Sequence, residues 1–331
     1  MADLQTVEID AQYRQLREEC GLVDRPERGK LVVSGPEAAA YLQGQLTNDV
    51  EALGPGDGVY AALLDRKGHM QGDMRVLRPH SSVPYASQTG KRNSQAELWI
   101  DTEPEALEAV RRHLGMYKIG RQVEVADVTQ ERAILSLIGP RAAEIAGSPP
   151  LPENVCEEVA VGGARCLAVG TTGGIDLILA AAERDRAWEA LLAAGAAEVS
   201  PEAVEIVRIE AGRPRFGSEM GTETMPAEAG IVERAVSFTK GCYIGQETVA
   251  RLHYKGKPNR HLRALRLSAP AQGGEPVSLD GKELGTLGGA AVSPAFGPIA
   301  LAILRREAEP GTTVAVGEDG VTAQVVALPF G

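Results

Sequence analysis

The stretch richest in chemistry is Thr239-Lys240-Gly241-Cys242-Tyr243-Ile244-Gly245-Gln246-Glu247, followed by Thr248-Val249-Ala250-Arg251. It fits no apolar core pattern. Two glycines beside a thiol permit unusual backbone angles and close ligand approach, and a lysine two residues away favours thiolate over thiol. Cys242 is therefore either a nucleophile activated by Lys240, or a buried thiol in a loop entering a helix at Gln246, since free cysteine is among the most buried residue types. Asp73 falls in an alternating strand pattern, where an acid either serves a site or faces solvent. The five histidines show no paired ligand spacing with Cys, Asp or Glu, so no metal site is expected. The Gly-rich runs Gly170–Gly174 and Gly285–Gly289 lack the lysine or glycine spacing of a nucleotide loop.

These residues need elements to hold them. Ile9, Tyr13 and Leu16 recur at helical intervals, so Ile9–Cys20 is expected to be a helix stopped by Gly21. Leu31-Val-Val-Ser-Gly35-Pro36-Glu-Ala-Ala is echoed by Leu135-Ser-Leu-Ile-Gly139-Pro140-Arg-Ala-Ala, each an apolar strand, a Gly-Pro turn and an Ala-rich helix start. Copies this far apart predict two related α+β lobes rather than a solenoid. Val59–Leu64 and His69–Leu77 flank Asp65-Arg66-Lys67-Gly68 and predict a hairpin; Glu97–Asp101 and Val123–Asp127 predict strands. Pro104–Leu114 and Ala182–Ala194 predict helices, Pro79–Asn93 an exposed excursion, and Ser148–Asn154 a linker between lobes. From Leu262 onward, short strands with turns at Asp280-Gly281 and Gly317-Glu-Asp-Gly320 predict a small β-barrel. The chain is expected to divide into residues 1–257 and 258–331 near Lys257-Pro258-Asn259.

Composition narrows the class. A chain of 331 residues buries a sizeable core without disulfides, and Cys20, Cys156, Cys166 and Cys242 form no C-x-x-C pair. A net charge of −11 argues against general nucleic-acid or anionic-membrane binding. No run reaches the ~18 apolar residues of a membrane span, and the polar, acidic N-terminus reads as neither signal nor transit peptide, so a cytosolic protein is expected.

Lys240-Gly-Cys-Tyr-Ile-Gly-Gln-Glu247 resembles the signature of the YgfZ family of folate-binding proteins, relatives of the glycine-cleavage-system T protein. The likeness extends over Gly21-Leu-Val-Asp24, Gln45-Leu-Thr-Asn48-Asp49, Tyr60 through Gly68, Arg208-Ile-Glu210-Ala-Gly212, Pro226-Ala-Glu228-Ala-Gly230 and Ser293-Pro294-Ala-Phe-Gly297. It implies an α+β cloverleaf of domains around a central folate channel, closed by the C-terminal barrel. It further implies tetrahydrofolate, or another reduced folate, as cofactor and a role in assembly or repair of iron–sulfur clusters, including those of tRNA-modifying enzymes met as transient clients. The alternative is a folate-dependent aminomethyl or methyl transferase.

Under this resemblance Glu228, set among small residues, is the expected acceptor for the paired N–H donors of a pterin, with Glu210 as second candidate. Outside it, Glu228 reads as a surface or capping acid and Glu210 as an ion-pair partner of Arg208 or Arg213. Tyr243, Gln246 and Arg251 are expected to line the folate site. Arg251, Lys255, Lys257 and Arg260 form a basic cluster suited to the carboxylate tail. Cys242, Lys240 and Asp73 are the expected reactive group. The T protein carries two adjacent aspartates where this chain reads Gly72-Asp73, and its Gly-Tyr-Thr-Gly-Glu segment is reduced here to Gly170-Thr-Thr-Gly173-Gly174. Both departures favour the YgfZ branch over transfer chemistry.

Overall fold

The structure, a computed structural model, describes residues 2–80 and 97–331, so the expected excursion at Pro79–Asn93 lies outside them from residue 81 onward. Helix α1 (Ala2–Glu18) leads to β1 (Gly21–Asp24), β2 (Gly29–Ser34) and α2 (Ala38–Gln45). The hairpin β3 (Gly58–Leu64)–β4 (Met70–Leu77) follows, then β5 (Leu98–Thr102), α3 (Pro104–Tyr117) and β6 (Glu124–Asp127). The second half runs β7 (Arg132–Ile138), α4 (Ala142–Ala146), β8 (Cys156–Val161), β9 (Ala164–Thr171), β10 (Gly174–Ala180), α5 (Arg184–Ala193), β11 (Ala197–Glu198) and α6 (Pro201–Glu210). Two short helices, α7 (Val232–Ala235) and α8 (Gln246–Lys255), precede the C-terminal strands β12 (Arg260–Leu267), β13 (Pro276–Leu279), β14 (Lys282–Ser293), β15 (Gly297–Arg305), β16 (Thr313–Val316) and β17 (Val321–Val326).

Three sheets result: β3-β4-β5-β2-β6, β11-β1-β7-β10-β9-β8, and a closed barrel β12-β15-β14-β13-β16-β17. The repeated Gly-Pro motif gives the same geometry twice. After β2 and after β7 the chain turns at Gly35 (φ 112°) and Gly139 (φ 132°), and a Cβ at either would lie 2.2 or 2.4 Å from a backbone carbonyl oxygen. Only glycine tolerates both demands. The halves are not sequential, however. Strand β1 pairs antiparallel with β7, Leu22 opposite Leu137, so the first strand belongs to the second sheet. The two sheets face each other through Val32, Leu77 and Trp99 on one side and Ile134, Leu167 and Ile178 on the other.

Two expectations need correction. Ser148–Asn154 does not join lobes; it connects α4, capped by Gly147 in the left-handed conformation (φ 64°), to β8 of the same sheet, its prolines extending the chain. Helix α1 ends at Glu18, and Gly21 opens β1 instead of capping a helix, because it pairs with Ile138 of β7 and Ala197 of β11; a Cβ there would lie 2.5 Å from Leu16 Cδ2. In the barrel, Asp280 (φ 51°) and Gly281 (φ 77°) take the left-handed pair of angles that a two-residue hairpin requires. Segment 216–249 packs Phe216, Ile231, Ala235, Tyr243 and Val249 into the core of the first sheet. Among the described residues no helix is long and apolar enough to cross a membrane.

Candidate functional site

A central cavity of about 1330 Å³ opens where the two sheets, α6 and barrel strand β14 converge. Its walls are Tyr60, Asp73 and Arg75 from the first sheet, Ser136, Ile138 and Asp176 from the second, Glu205 and Arg208 from α6, and Ala290–Ser293 from β14. Drug-sized ligands occupy cavities of ~300–1000 Å³, so a folate-sized molecule fits with space beside it.

Asp73 reaches this cavity by strand alternation. A Cβ on Gly72 would lie 2.7 Å from the Ala106 Cβ, so the face of β4 at Gly72 is closed by α3 and its neighbour faces the opposite way. The Tyr60 hydroxyl donates to Asp73 Oδ2 at 2.6 Å. Oδ1 is buried and accepts nothing. Burial drives the carboxyl upward against the Tyr60 hydrogen bond, to about 6. A carboxylate with one oxygen fixed, one oxygen unpartnered and a pKa raised to about 6 suits the holding and release of a proton.

Behind it runs a buried ion ladder. Arg28 donates to Asp101 Oδ1 at 2.5 Å and to Glu103; Arg75 donates to Asp101 Oδ2 at 2.8 Å and pairs with Asp176 at 2.7 Å. Burial alone would raise the Asp101 carboxyl, but the guanidiniums of Arg75 and Arg28 outweigh it and hold it at about 2. The ladder ties β5 and β4 to β10 across the cavity floor. Arg208 is likewise held, by Glu205 and Glu219. Buried polar atoms without partners gather here: Asp24 Oδ1, Arg28 Nε, Asp73 Oδ1, Arg215 Nε and Arg234 Nε all belong to cavity-lining residues. Such groups are normally satisfied, so their concentration sets this wall apart from an ordinary protein core.

Of the side chains singled out from sequence, Asp73 alone lines this cavity. Glu228 is buried elsewhere, accepting from Arg260 Nε at 3.0 Å, from Arg260 Nη2 at 3.1 Å and from the Met225 N–H at 3.0 Å. It joins the 225–228 turn to barrel strand β12 rather than facing a planar ligand, and it occupies Arg260, one of the expected tail-binding cations. Glu210 accepts from Ser293 Oγ at 2.5 Å, from Tyr13 and from Arg17, binding α1, α6 and the barrel together.

Lys240 does not serve Cys242. Its ammonium is buried and donates to the carbonyls of Gln43, Leu46 and Asn48 at 2.6, 2.6 and 2.9 Å, completing the C-terminal end of α2. Cys242 is exposed, whereas Cys20, Cys156 and Cys166 are buried. Tyr243 and Gln246 line a separate surface pocket with Arg66 and Tyr117, and Arg251 is exposed on α8. Sequence reasoning missed Tyr60, Arg75, Asp176, Arg213 and Arg234 as site residues. One signal was present: Asp73 and Arg75, two apart in an apolar strand, share a face that burial makes costly unless it serves a purpose. No group of three or more His, Cys, Asp or Glu among the described residues is placed to hold a metal ion.

Comparison with known proteins places this geometry. The profile of the GCVT N-terminal domain matches residues 3–240, and that of the glycine cleavage T-protein C-terminal barrel domain matches residues 260–330. An aminomethyltransferase of Rubrobacter xylanophilus is 31% identical, over 97% of this chain and 86% of its own length. One of Symbiobacterium thermophilum is 29% identical, over 96% and 88%. The crystal structure of the glycine cleavage system aminomethyltransferase T of Bartonella henselae superposes with a TM-score of 0.83 over 98% of this chain and 89% of its own, at 22% identity, a likeness of fold. With both domain profiles in chain order, a relative above 30% identity and the barrel sealing one wall of the cavity, this chain belongs to the glycine cleavage T-protein family.

Proposed function

We propose that this chain binds a reduced folate in the central cavity and carries out folate-dependent one-carbon transfer there, with Asp73 as its acid–base group. The observation that carries the reading is the Asp73 carboxyl, buried in the cavity wall with Oδ2 held by Tyr60 and Oδ1 without a hydrogen-bond partner. The aminomethyltransferase relatives support it, and the chemistry of the wall fits the cofactor. Asp73 and Asp176 offer acceptors to pterin N–H donors, Tyr60 and Ile138 offer flat and apolar contact, and arginines of the same wall suit the acidic tail. A bound reduced folate would supply the nitrogen atoms that take up the one-carbon group. Asp73 would hold one proton at Oδ1 or release it, Tyr60 would fix the carboxylate plane, and the Arg75–Asp101 pair would keep β4 in position. The test is turnover: tetrahydrofolate with an aminomethyl-lipoyl donor is expected to yield methylene-tetrahydrofolate, and Asp73→Asn to lower the rate by a factor of about 10²–10⁴. Absence of turnover by the unmodified protein refutes transfer.

A second reading, that of a YgfZ-type accessory factor for iron–sulfur enzymes, is favoured by one feature: Cys242 is displayed at the surface within Lys-Gly-Cys-Tyr-Ile-Gly-Gln-Glu. A single thiolate does not hold a cluster that commonly needs four protein ligands, so contact with a client would be transient. Under this reading Cys242→Ser impairs iron–sulfur tRNA-modifying enzymes in cells while folate affinity stays unchanged. Unimpaired enzymes would count against it.

A further inference from the structure

We infer that Arg213 and Arg234 form a carboxylate-binding subsite in the wall of the central cavity, beside Tyr60. Both line the cavity, and they share a single counter-charge. Arg234 donates to Glu153 Oε1, while Arg213 Nη1 lies 3.9 Å from that same oxygen. Two cations thus face one anion, and the buried Nε of Arg234 has no acceptor. Three other cavity arginines differ, Arg28, Arg75 and Arg208 each engaging two carboxylates, while Arg215 shares Glu205 with Arg208. Burial and the adjacent Arg234 charge push the Arg213 guanidinium below its ordinary value, the direction expected of a cation lacking its anion.

The fold holds this pair in place. Thr47 Oγ1 donates to the Ala235 carbonyl at 2.5 Å, and Asn48 Nδ2 donates to the carbonyls of Arg234 at 3.0 Å and Tyr60 at 2.8 Å. These bonds staple α7 to β3 and set the Arg234 guanidinium 4.8 Å above the Tyr60 ring. Arg213 stands between Gly212 and Pro214, its carbonyl held by Arg208. Planar forks fixed this way match the two oxygens of a carboxylate. Because Tyr60 also holds Asp73, a ligand anchored by its acid group here has its other end directed toward the acid–base group. That orientation rests on the folate reading; the anion subsite does not. The acid group has two sources, the glutamyl tail of a folate or the carboxylate of an amino-acid co-substrate.

The test is calorimetric titration of the full chain with three probes, each alone: 6-methyltetrahydropterin, which has no acid group, N-acetylglutamate, and N-methylglycine. The unmodified protein is expected to bind at least one acid probe, and the Arg213→Met/Arg234→Met variant to bind it at least about tenfold more weakly, with pterin affinity unchanged. Loss confined to N-acetylglutamate identifies the folate tail, and loss confined to N-methylglycine a co-substrate. Arg213→Gln, which leaves the Arg234–Glu153 pair intact, is expected to give a smaller loss and serves if the double variant does not fold. If neither acid probe binds, or the variants bind as tightly as the parent, the subsite is refuted. Binding of an acid probe without the pterin supports the subsite and removes the folate reading.

Discussion

Replacing Asp73 by Asn is expected to make the protein more stable at neutral pH while removing the carboxyl proposed as its acid–base group. The carboxyl is raised from 3.8 to about 6 in the folded chain, a difference of roughly two pKa units or about 3 kcal/mol. At 8% exposure the residue is too buried for solvent to screen most of this. Between these two pKa values the folded state binds more protons than the unfolded, so stability falls as pH rises through the window. Below about pH 4 the carboxyl is neutral in both states and the penalty is absent; above about pH 6 it is fully present. Asn keeps an oxygen for the Tyr60 hydroxyl and carries no charge. Urea unfolding of both proteins at pH 4, 5, 6 and 8, followed by tryptophan fluorescence, should show free energies that coincide at the acid end and diverge to about 3 kcal/mol in favour of Asn by pH 8. A difference that is constant with pH, or a variant weaker at pH 8, refutes the claim that burial of the charge dominates at this position.

Other consequences are equally direct. Lys240→Met leaves three carbonyls near the end of α2 without their donor and should destabilise the chain by about 2–4 kcal/mol, with Cys242 alkylation rates unchanged; slowed alkylation would restore an activating role for the lysine. Iodoacetamide should modify one cysteine in the native state, Cys242, because burial pushes the thiols of Cys20 and Cys166 to about 11 and that of Cys156 to about 12. Peptide mapping that finds label on any of these three contradicts the packing. Glu228→Ala should lower stability by about 1–3 kcal/mol through loss of the Arg260 contact, as thermal melts will report.

Much of the local structure could be read in the sequence, because turns and caps are decided by neighbouring residues. The Gly-Pro echo at residues 35 and 139, the Asp280-Gly281 hairpin and the β3–β4 hairpin each rest on a few adjacent side chains. The cavity was not legible in the same way. Tyr60, Asp73, Asp176, Arg213 and Arg234 line one cavity because the two sheets pack face to face and segment 211–235 returns over the first, contacts that no short window encodes. Lys240 shows the same limit: two residues from Cys242 along the chain, it turns inward to carbonyls almost two hundred residues earlier. The small residues around Glu228 fitted a ligand approach equally well, yet they serve a tight turn in which Glu228 accepts from Met225 and grips the barrel.

The central claim, that the cavity around Asp73 is the folate site, is tested most directly by titrating tetrahydrofolate into the unmodified chain, Asp73→Ala and Glu228→Ala. The expected result is a single site, weakened at least about tenfold by Asp73→Ala and unchanged within about twofold by Glu228→Ala. Failure of the unmodified chain to bind, or affinity lost at Glu228 and retained at Asp73, contradicts the account.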